Sequence, residues 1–247
     1  MQNITTIALS RLAAQERALD VAASNIANTT TPGFHAERMV FADWLVRQPA
    51  GTQPPGGQII TYTQDRATYR DTRPGPMSHT GNPLDIAIGA PDGYFAVQTP
   101  RGVRYTRAGH FEISPSGTIV DGSGNALLDT ARRPIQVAAT DVNLSVTGDG
   151  TISSVNGRLG RVGIFKPTDS QNLKAEGSRL FSTDKPLDAV IRPDLVQGAI
   201  EESNVQSVLE LTRMMTDLRN YQFVGQFVQT EAERQQSAID KIMQKRS

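Results

Sequence analysis

Apolar residues recur by three and four at both ends of this chain and fall into short runs between them. Near the start, Thr5, Ala8, Leu12, Gln15, Leu19, Ala22 and Ile26 mark a narrow helical stripe in an Ala-rich stretch, residues 3–28. Asn28 and the run Thr29-Thr30-Thr31-Pro32-Gly33 end it, because Pro32 cannot continue a helix. Pro-Gly also favours a type II turn, with φ > 0 at Gly33. Phe34 follows, and Met39, Val40, Phe41, Trp44, Leu45 and Val46 suggest a short second apolar element. Residues 49–57 read as a linker. Residues 58–83 stay loose, with extended-looking Ile59, Ile60 and Tyr62 and a turn-rich stretch at Arg73–Pro83.

From Leu84 to about Pro193 the texture is β. The runs 84–88, 94–98, 103–107, 110–114, 144–147, 151–155 and 161–166 are separated by Asp-Gly, Ser-Gly and Asn-Gly turns at 92–93, 116–117, 121–122, 149–150 and 156–157. That pattern predicts a mainly antiparallel sheet of hairpins. The helical period then returns and runs to the end. Ser203 or Asn204 is the expected N-cap. Leu211, Met214, Leu218, Tyr221, Gly225, Val228, Ala232, Gln235, Ile239 and Ile242 form a seven-residue repeat, widened by Val208, Met215, Phe223, Val224 and Phe227. A helix with several apolar faces needs partners on more than one side.

The expected fold is α+β: long N- and C-terminal helices paired as a coiled-coil-like helical domain, with a central, mainly antiparallel β domain. The expected division is 1–48 (first helix and turn), 49–83 (linker and extended segment), 84–197 (β domain) and 198–247 (last helix). Separate packing of each helix on the β domain is the alternative, and the matching stripes at both ends argue against it.

Charge narrows the partners. The chain has 25 Lys+Arg against 25 Asp+Glu, and the balance is local, with twelve of each in residues 84–197. No block has the positive field that nucleic acid or an anionic membrane surface requires. No run of about 18 apolar residues predicts a membrane span, and no charged-then-apolar leader follows Met1. Cysteine is absent, which removes disulfides, thiol catalysis and thiolate metal sites together. His35, His79 and His110 lie in separate segments, without partners at metal-ligand spacing. The run Asp121-Gly122-Ser123-Gly124-Asn125 resembles a calcium loop only in its opening residues, since Ala126 and Arg132 stand where Gly and Glu are needed; a hairpin turn is expected. Arg101, Arg104 and Arg107 form a small basic cluster with an expected solvated or interface role. Catalytic residues, cofactors and metal sites are therefore expected to be none.

At the ends the residues become specific. Ser24-Asn25-Ile26-Ala27-Asn28-Thr29-Thr30-Thr31-Pro32-Gly33-Phe34 resembles the N-terminal signature of the flagellar rod and hook family. Gln197-Gly198-Ala199-Ile200-Glu201-Glu202-Ser203-Asn204-Val205 resembles the C-terminal signature that opens the family's last helix. Between them, residues 93–97, 105–111 and 117–120 resemble the β domain shared by its rod proteins. The chain departs from the family pattern at Arg11, Ser24 and Gln222.

The resemblance implies a structural, non-enzymatic subunit of the bacterial flagellar basal-body rod, serving motility. Its length and compact middle favour the proximal-rod branch over the longer distal one. By the same resemblance, such a subunit is exported without a cleavable signal peptide by the flagellar type III apparatus. It polymerises helically across the periplasm through its terminal helices and transmits torque. The implied partners are proximal and distal rod subunits, copies of itself and the export apparatus, with no nucleic acid and no direct membrane insertion. The expected assembly interface comprises Leu12, Leu19, Asn25, Ile26, Asn28, Pro32, Gly33, Phe34, Glu201, Ser203, Asn204, Val205, Leu211, Met214, Leu218, Tyr221 and Val228. Competing readings are a distal-rod or hook-family subunit, a secreted coiled-coil-tethered glycan-binding module and a β-fold hydrolase. The glycan binder needs an aromatic-ringed pocket, against 6% aromatic residues. The hydrolase needs clustered carboxylates, and the acids here are scattered among turns.

Overall fold

A computed structural model describes residues 2–47, 59–168, 173–177 and 179–244. The expected linker 49–57 lies outside the described residues. So do the side chains of Thr5, Phe41, Trp44, Leu45, Val46, Ile59, Ile60, Tyr62, Ile239 and Ile242.

Helices α1 (Gln2–Ala27) and α2 (Ser207–Gln244) bracket the strands. Strands β1 (Glu37–Arg47) and β2 (Ile59–Arg70) pair as a two-stranded sheet, where the sequence suggested only a short apolar element and an extended segment. Next come β3 (Met77–His79) and β4 (Ile86–Ile88), then β5 (Tyr94–Thr99), β6 (Gly102–Thr106), β7 (Phe111–Ile113), β8 (Ile119–Asp121) and β9 (Ala126–Leu127). A three-stranded sheet follows, built from β10 (Ser145–Val146), β11 (Thr151–Ser154) and β12 (Gly157–Arg161). The chain continues through β13 (Ile164–Lys166), β14 (Lys174–Glu176), β15 (Leu180–Ser182) and β16 (Asp188–Ala189) to β17 (Leu195–Gln197) and β18 (Ala199–Glu201).

The chain divides into two compact units. The helical unit comprises Met1–Ile26, Glu37–Tyr69 and Ser207–Ser247; the β unit comprises Ala27–Ala36 and Arg70–Gln206. The main sheet of the β unit runs β14-β15-β6-β5-β9-β8-β7, with β13 also on β5 and β16 on β13. All its registered pairings are antiparallel. Strand β5 shows why both faces are covered. Phe95 and Val97 pack into one core with Ile86, Phe111 and Ile119, while Tyr94 and Ala96 pack into a second with Tyr105, Phe165 and Phe181. Period-two alternation with apolar residues at both phases demands burial on both sides.

The turns at 116–117, 149–150 and 156–157 join hairpin partners. Asp121–Asn125 is likewise a turn, between β8 and β9, with Asp121 Oδ1 accepting the N–H groups of Ser123 and Asn125. The Asp92-Gly93 turn is different: it leads from β4, which pairs with β17, into β5. Helix α2 begins at Ser207, so Ser203 and Asn204 are not its N-cap. Their side chains are committed elsewhere: Ser203 Oγ accepts the Val205 N–H, and Asn204 cross-links three backbone groups described below.

Candidate functional site

The two signature segments meet inside the β unit. Asn28 closes the turn after α1, its carbonyl and Oδ1 accepting from Thr31 N and Oγ1 at 3.1 Å each. Pro32 then opens the expected turn, closed by Phe34 N–H donating to the Thr31 carbonyl at 3.2 Å, with Gly33 at φ +70°. Gly33 N–H donates to the Glu201 carbonyl at 2.8 Å, and Asn204 N–H donates to the Phe34 carbonyl at 3.3 Å. Phe34, Ala36 and Val205 form a small apolar core of their own.

At the centre is a buried charge cluster. Arg107, which the sequence placed in a basic cluster with a solvated or interface role, is 1% exposed and therefore not solvated. Its Nε donates to Glu201 Oε2 at 2.8 Å, and its Nη1 donates to the carbonyls of Gly93 at 2.6 Å and Ala90 at 2.8 Å. Spacing along a strand misled here, because Arg107 lies just beyond β6, where the chain turns inward and a collar of carbonyls substitutes for water. No local signal marked its burial: Arg101 and Arg104 stand close by in sequence, and its counter-charge Glu201 lies 94 residues away. Arg104, by contrast, reaches Glu176 near the surface at 2.9 Å.

Glu201 is equally buried. Its Oε1 accepts from His35 Nε2 at 2.9 Å and from Gly75 N–H at 3.0 Å. Burial pushes its carboxyl up, but the His35 hydrogen bond and the Arg107 charge outweigh this and hold the pKa below the usual glutamate range. His35 is buried too, and its Nδ1 has no hydrogen-bond partner among the described residues. With Nε2 donating to a carboxylate, the neutral tautomer leaves Nδ1 as a bare acceptor. The other histidines stand apart: His110 Nδ1 meets Asp85 at 2.6 Å, and His79 lies on β3.

Asn204 completes the cradle. Its Oδ1 accepts Ala36 N–H at 2.7 Å, and its Nδ2 donates to the carbonyls of Asp71 at 3.0 Å and Arg73 at 2.7 Å. One amide therefore ties the N-terminal signature to the segment after β2. Unsatisfied buried backbone groups cost about 1–3 kcal/mol. Asn204→Ala is expected to lower stability by about 2 kcal/mol, read from urea unfolding of the full chain; a loss under about 0.5 kcal/mol, the scale of an ordinary surface substitution, would refute the cross-link.

The helical unit has its own polar centre. Asn25, at the end of α1, accepts Glu37 N–H and donates to the Glu37 carbonyl, both at 2.9 Å, as a neighbouring strand would. Its Nδ2 also reaches Glu210 Oε2 at 3.2 Å. Glu210 is buried and holds Arg38 Nη1 at 2.5 Å and Arg213 Nη1 at 3.0 Å through Oε1. The start of α2 thus lies beside the end of α1.

Of the remaining residues named from the sequence, Leu12, Leu19, Ile26, Met214, Leu218 and Val228 are half-buried, while Leu211 and Tyr221 are exposed. Asn25, Gly33, Phe34, Glu201, Ser203 and Val205 are buried within the chain itself. Exposure instead concentrates on α2, at Val208 (78%), Phe223 (73%), Leu211 (53%) and Phe227 (48%). Among the described residues no helix is long and apolar enough to cross a membrane, and no group of three acidic or imidazole side chains is placed to hold a metal.

A β unit whose buried charges are spent on tying its own segments together, and a helical unit whose last helix exposes Val208, Leu211, Phe223 and Phe227, define a structural assembly subunit. Comparison with known proteins specifies which. Residues 6–35 match the family described as flagella basal body rod protein. Residues 87–154 match the flagellar hook protein FlgE/F/G D1 domain, and residues 196–241 match the flagellar basal body rod FlgEFG protein C-terminal family. Flagellar basal-body rod protein FlgF of Caulobacter vibrioides is 34% identical, with 98% of each chain covered. FlgF of Mesorhizobium japonicum is 32% identical, again with 98% of each covered. Flagellar basal-body rod protein FlgG of Caulobacter vibrioides is 32% identical over 93% of this chain and 95% of its own. The chain belongs to the flagellar basal-body rod protein family. It is a structural subunit of that rod rather than an enzyme.

Proposed function

We propose that the chain is a proximal-rod subunit that polymerises through its terminal helices, with copies of itself and with other proximal and distal rod subunits. In this reading it leaves the cell through the flagellar type III apparatus without a cleavable signal peptide and carries torque across the periplasm. Helices α1 and α2 pair in a coiled-coil-like manner and build the inner layer, and the β units build the outer one. Two concentric layers of lateral contact give the torsional stiffness that a drive-shaft requires. The buried signature residues hold their own segments together, and the exposed residues of α2 meet neighbours.

The observation that carries the reading is the uncovered face of α2. Phe223 and Phe227, with Ile7, Ala8, Arg11 and Val224, line a groove of about 280 Å³ between the two helices. Burying one such aromatic ring is worth about 1.5–3 kcal/mol. The double variant Phe223→Ser/Phe227→Ser should lower the monomer's melting midpoint only slightly, since Phe223 is mostly exposed and Phe227 half exposed. It should be missing from purified basal bodies and leave the cells non-motile. Normal swimming with that variant would overturn the reading.

A further inference from the structure

A second cavity of about 240 Å³ opens in the helical unit, lined by Asn25, Met39, Tyr69, Glu210, Arg213 and Asp217, among others. Its charges are unevenly spent. Glu210 is shared by Arg38 and Arg213. The wall's three carboxylates, Glu37, Glu210 and Asp217, outnumber its two guanidiniums, Arg38 and Arg213. Asp217, half-buried on the wall, feels the charge of Arg213 one turn back but forms no direct hydrogen bond or ion pair among the described residues. Two residues further along α2, Arg219 is exposed and likewise forms none among the described residues. At 3.6 residues per turn the two side chains leave the helix about 200° apart. One face of α2 thus carries a carboxylate, and nearly the opposite face a guanidinium, neither of them in a direct ion pair among the described residues.

We infer that neighbouring copies of this chain meet side by side through α2, with Arg219 of one copy entering the cavity of the next to pair with its Asp217. The inference rests on the proposed polymerisation through terminal helices and names the polar contact that sets its register. Charge complementarity selects the occupant. A carboxylate in a half-buried cavity favours a planar, weakly hydrated guanidinium that can bind it through two N–H groups. Opposite charges on opposite faces make the contact head-to-tail: every copy offers one of each, so the array extends instead of closing as a two-fold dimer. The apolar face of α2 supplies contact area, and the pair fixes which copies align.

Charge exchange in a strain deleted for the gene tests this. Wild-type chain supplied on a plasmid should restore swimming; failure there would count against the rod reading and not against this contact. Asp217→Arg and Arg219→Asp should each reduce swimming rings to the size of the deletion strain's. The double exchange should recover most of the wild-type diameter. Purified single variants should keep wild-type helix content and melting midpoint. If either unfolds, Asp217→Asn and Arg219→Gln carry the test and should each reduce recovery in purified rods by about tenfold or more. A reversal variant that folds and swims normally, a double exchange no better than the singles, or undiminished recovery of the neutral variants would overturn the inference.

Discussion

Glu201→Gln is expected to cost the full-length protein about 3–5 kcal/mol, because it leaves the Arg107 guanidinium buried without its counter-charge. Against a typical net stability of about 5–15 kcal/mol, that loss depletes the folded population or abolishes it. The geometry argues for the upper half of the range. Both side chains are about 1% exposed, and the remaining Arg107 donors already point at the carbonyls of Ile88, Ala90 and Gly93. No water can take the place of the carboxylate without opening the β unit. Arg107→Met should cost a similar amount for the mirror reason, stranding the anion beside His35. The double variant Arg107→Met/Glu201→Gln should be less damaging than the two losses summed, since no lone charge remains. Urea unfolding of the four proteins gives the coupling; additive losses, or single losses under about 1 kcal/mol, an ordinary substitution's effect, would show that the cluster is not a unit. The pH dependence has a definite sign. The native pKa of Glu201 lies below its unfolded value, so its contribution is present above the ordinary glutamate range and is lost as pH falls through the lower native pKa.

Gly33→Ala should be nearly as disruptive as Gly33→Val. At φ +70° any side chain costs about 1–2 kcal/mol in backbone strain. Space adds more. A Cβ at Gly33 would lie 2.5 Å from Ala108 N and from the Arg107 carbonyl carbon, atoms of a backbone that is itself held by the Arg107–Glu201 pair. The sequence alone suggests that Gly33→Val misdirects the chain leaving α1 while the β domain folds undisturbed. The structure revises this, because the turn packs on the β unit's own backbone, so that unit bears the strain. Gly81 is the control: φ is +75° there, but nothing lies within 4 Å of a built Cβ. Gly81→Ala should cost only the strain, and Gly33→Ala at least about 2 kcal/mol beyond it, the upper part of the overpacking range. Equal melting midpoints for the two alanine variants would refute the close approach. In cells, Gly33→Ala should abolish swimming and Gly81→Ala should not.

Local signals were legible in the sequence. The terminal helices follow from apolar spacing by three and four, and the hairpins of β7–β8, β10–β11 and β11–β12 from turn dipeptides that bring adjacent strands together. The Thr-Pro-Gly turn was legible because Pro fixes one φ and Gly supplies the next. The signature motifs were legible as a family resemblance, but their physical task was not. Gln197–Val205 seemed to open the last helix, whereas Ala199–Glu201 is a strand on β3 and α2 starts at Ser207.

By itself, then, the sequence determined the two helices, most of the short strands and the Gly33 turn, since each depends on neighbours within a few positions. Only the tertiary structure decided that β17 and β18 return to β4 and β3, that Asn204 bonds to segments on either side of β1–β2, and that Arg107 is buried. The reason is distance along the chain. Arg107 and His35 both find their partner in Glu201, 94 and 166 residues away, and a charged side chain shows its burial in sequence only through a partner close enough to be read with it.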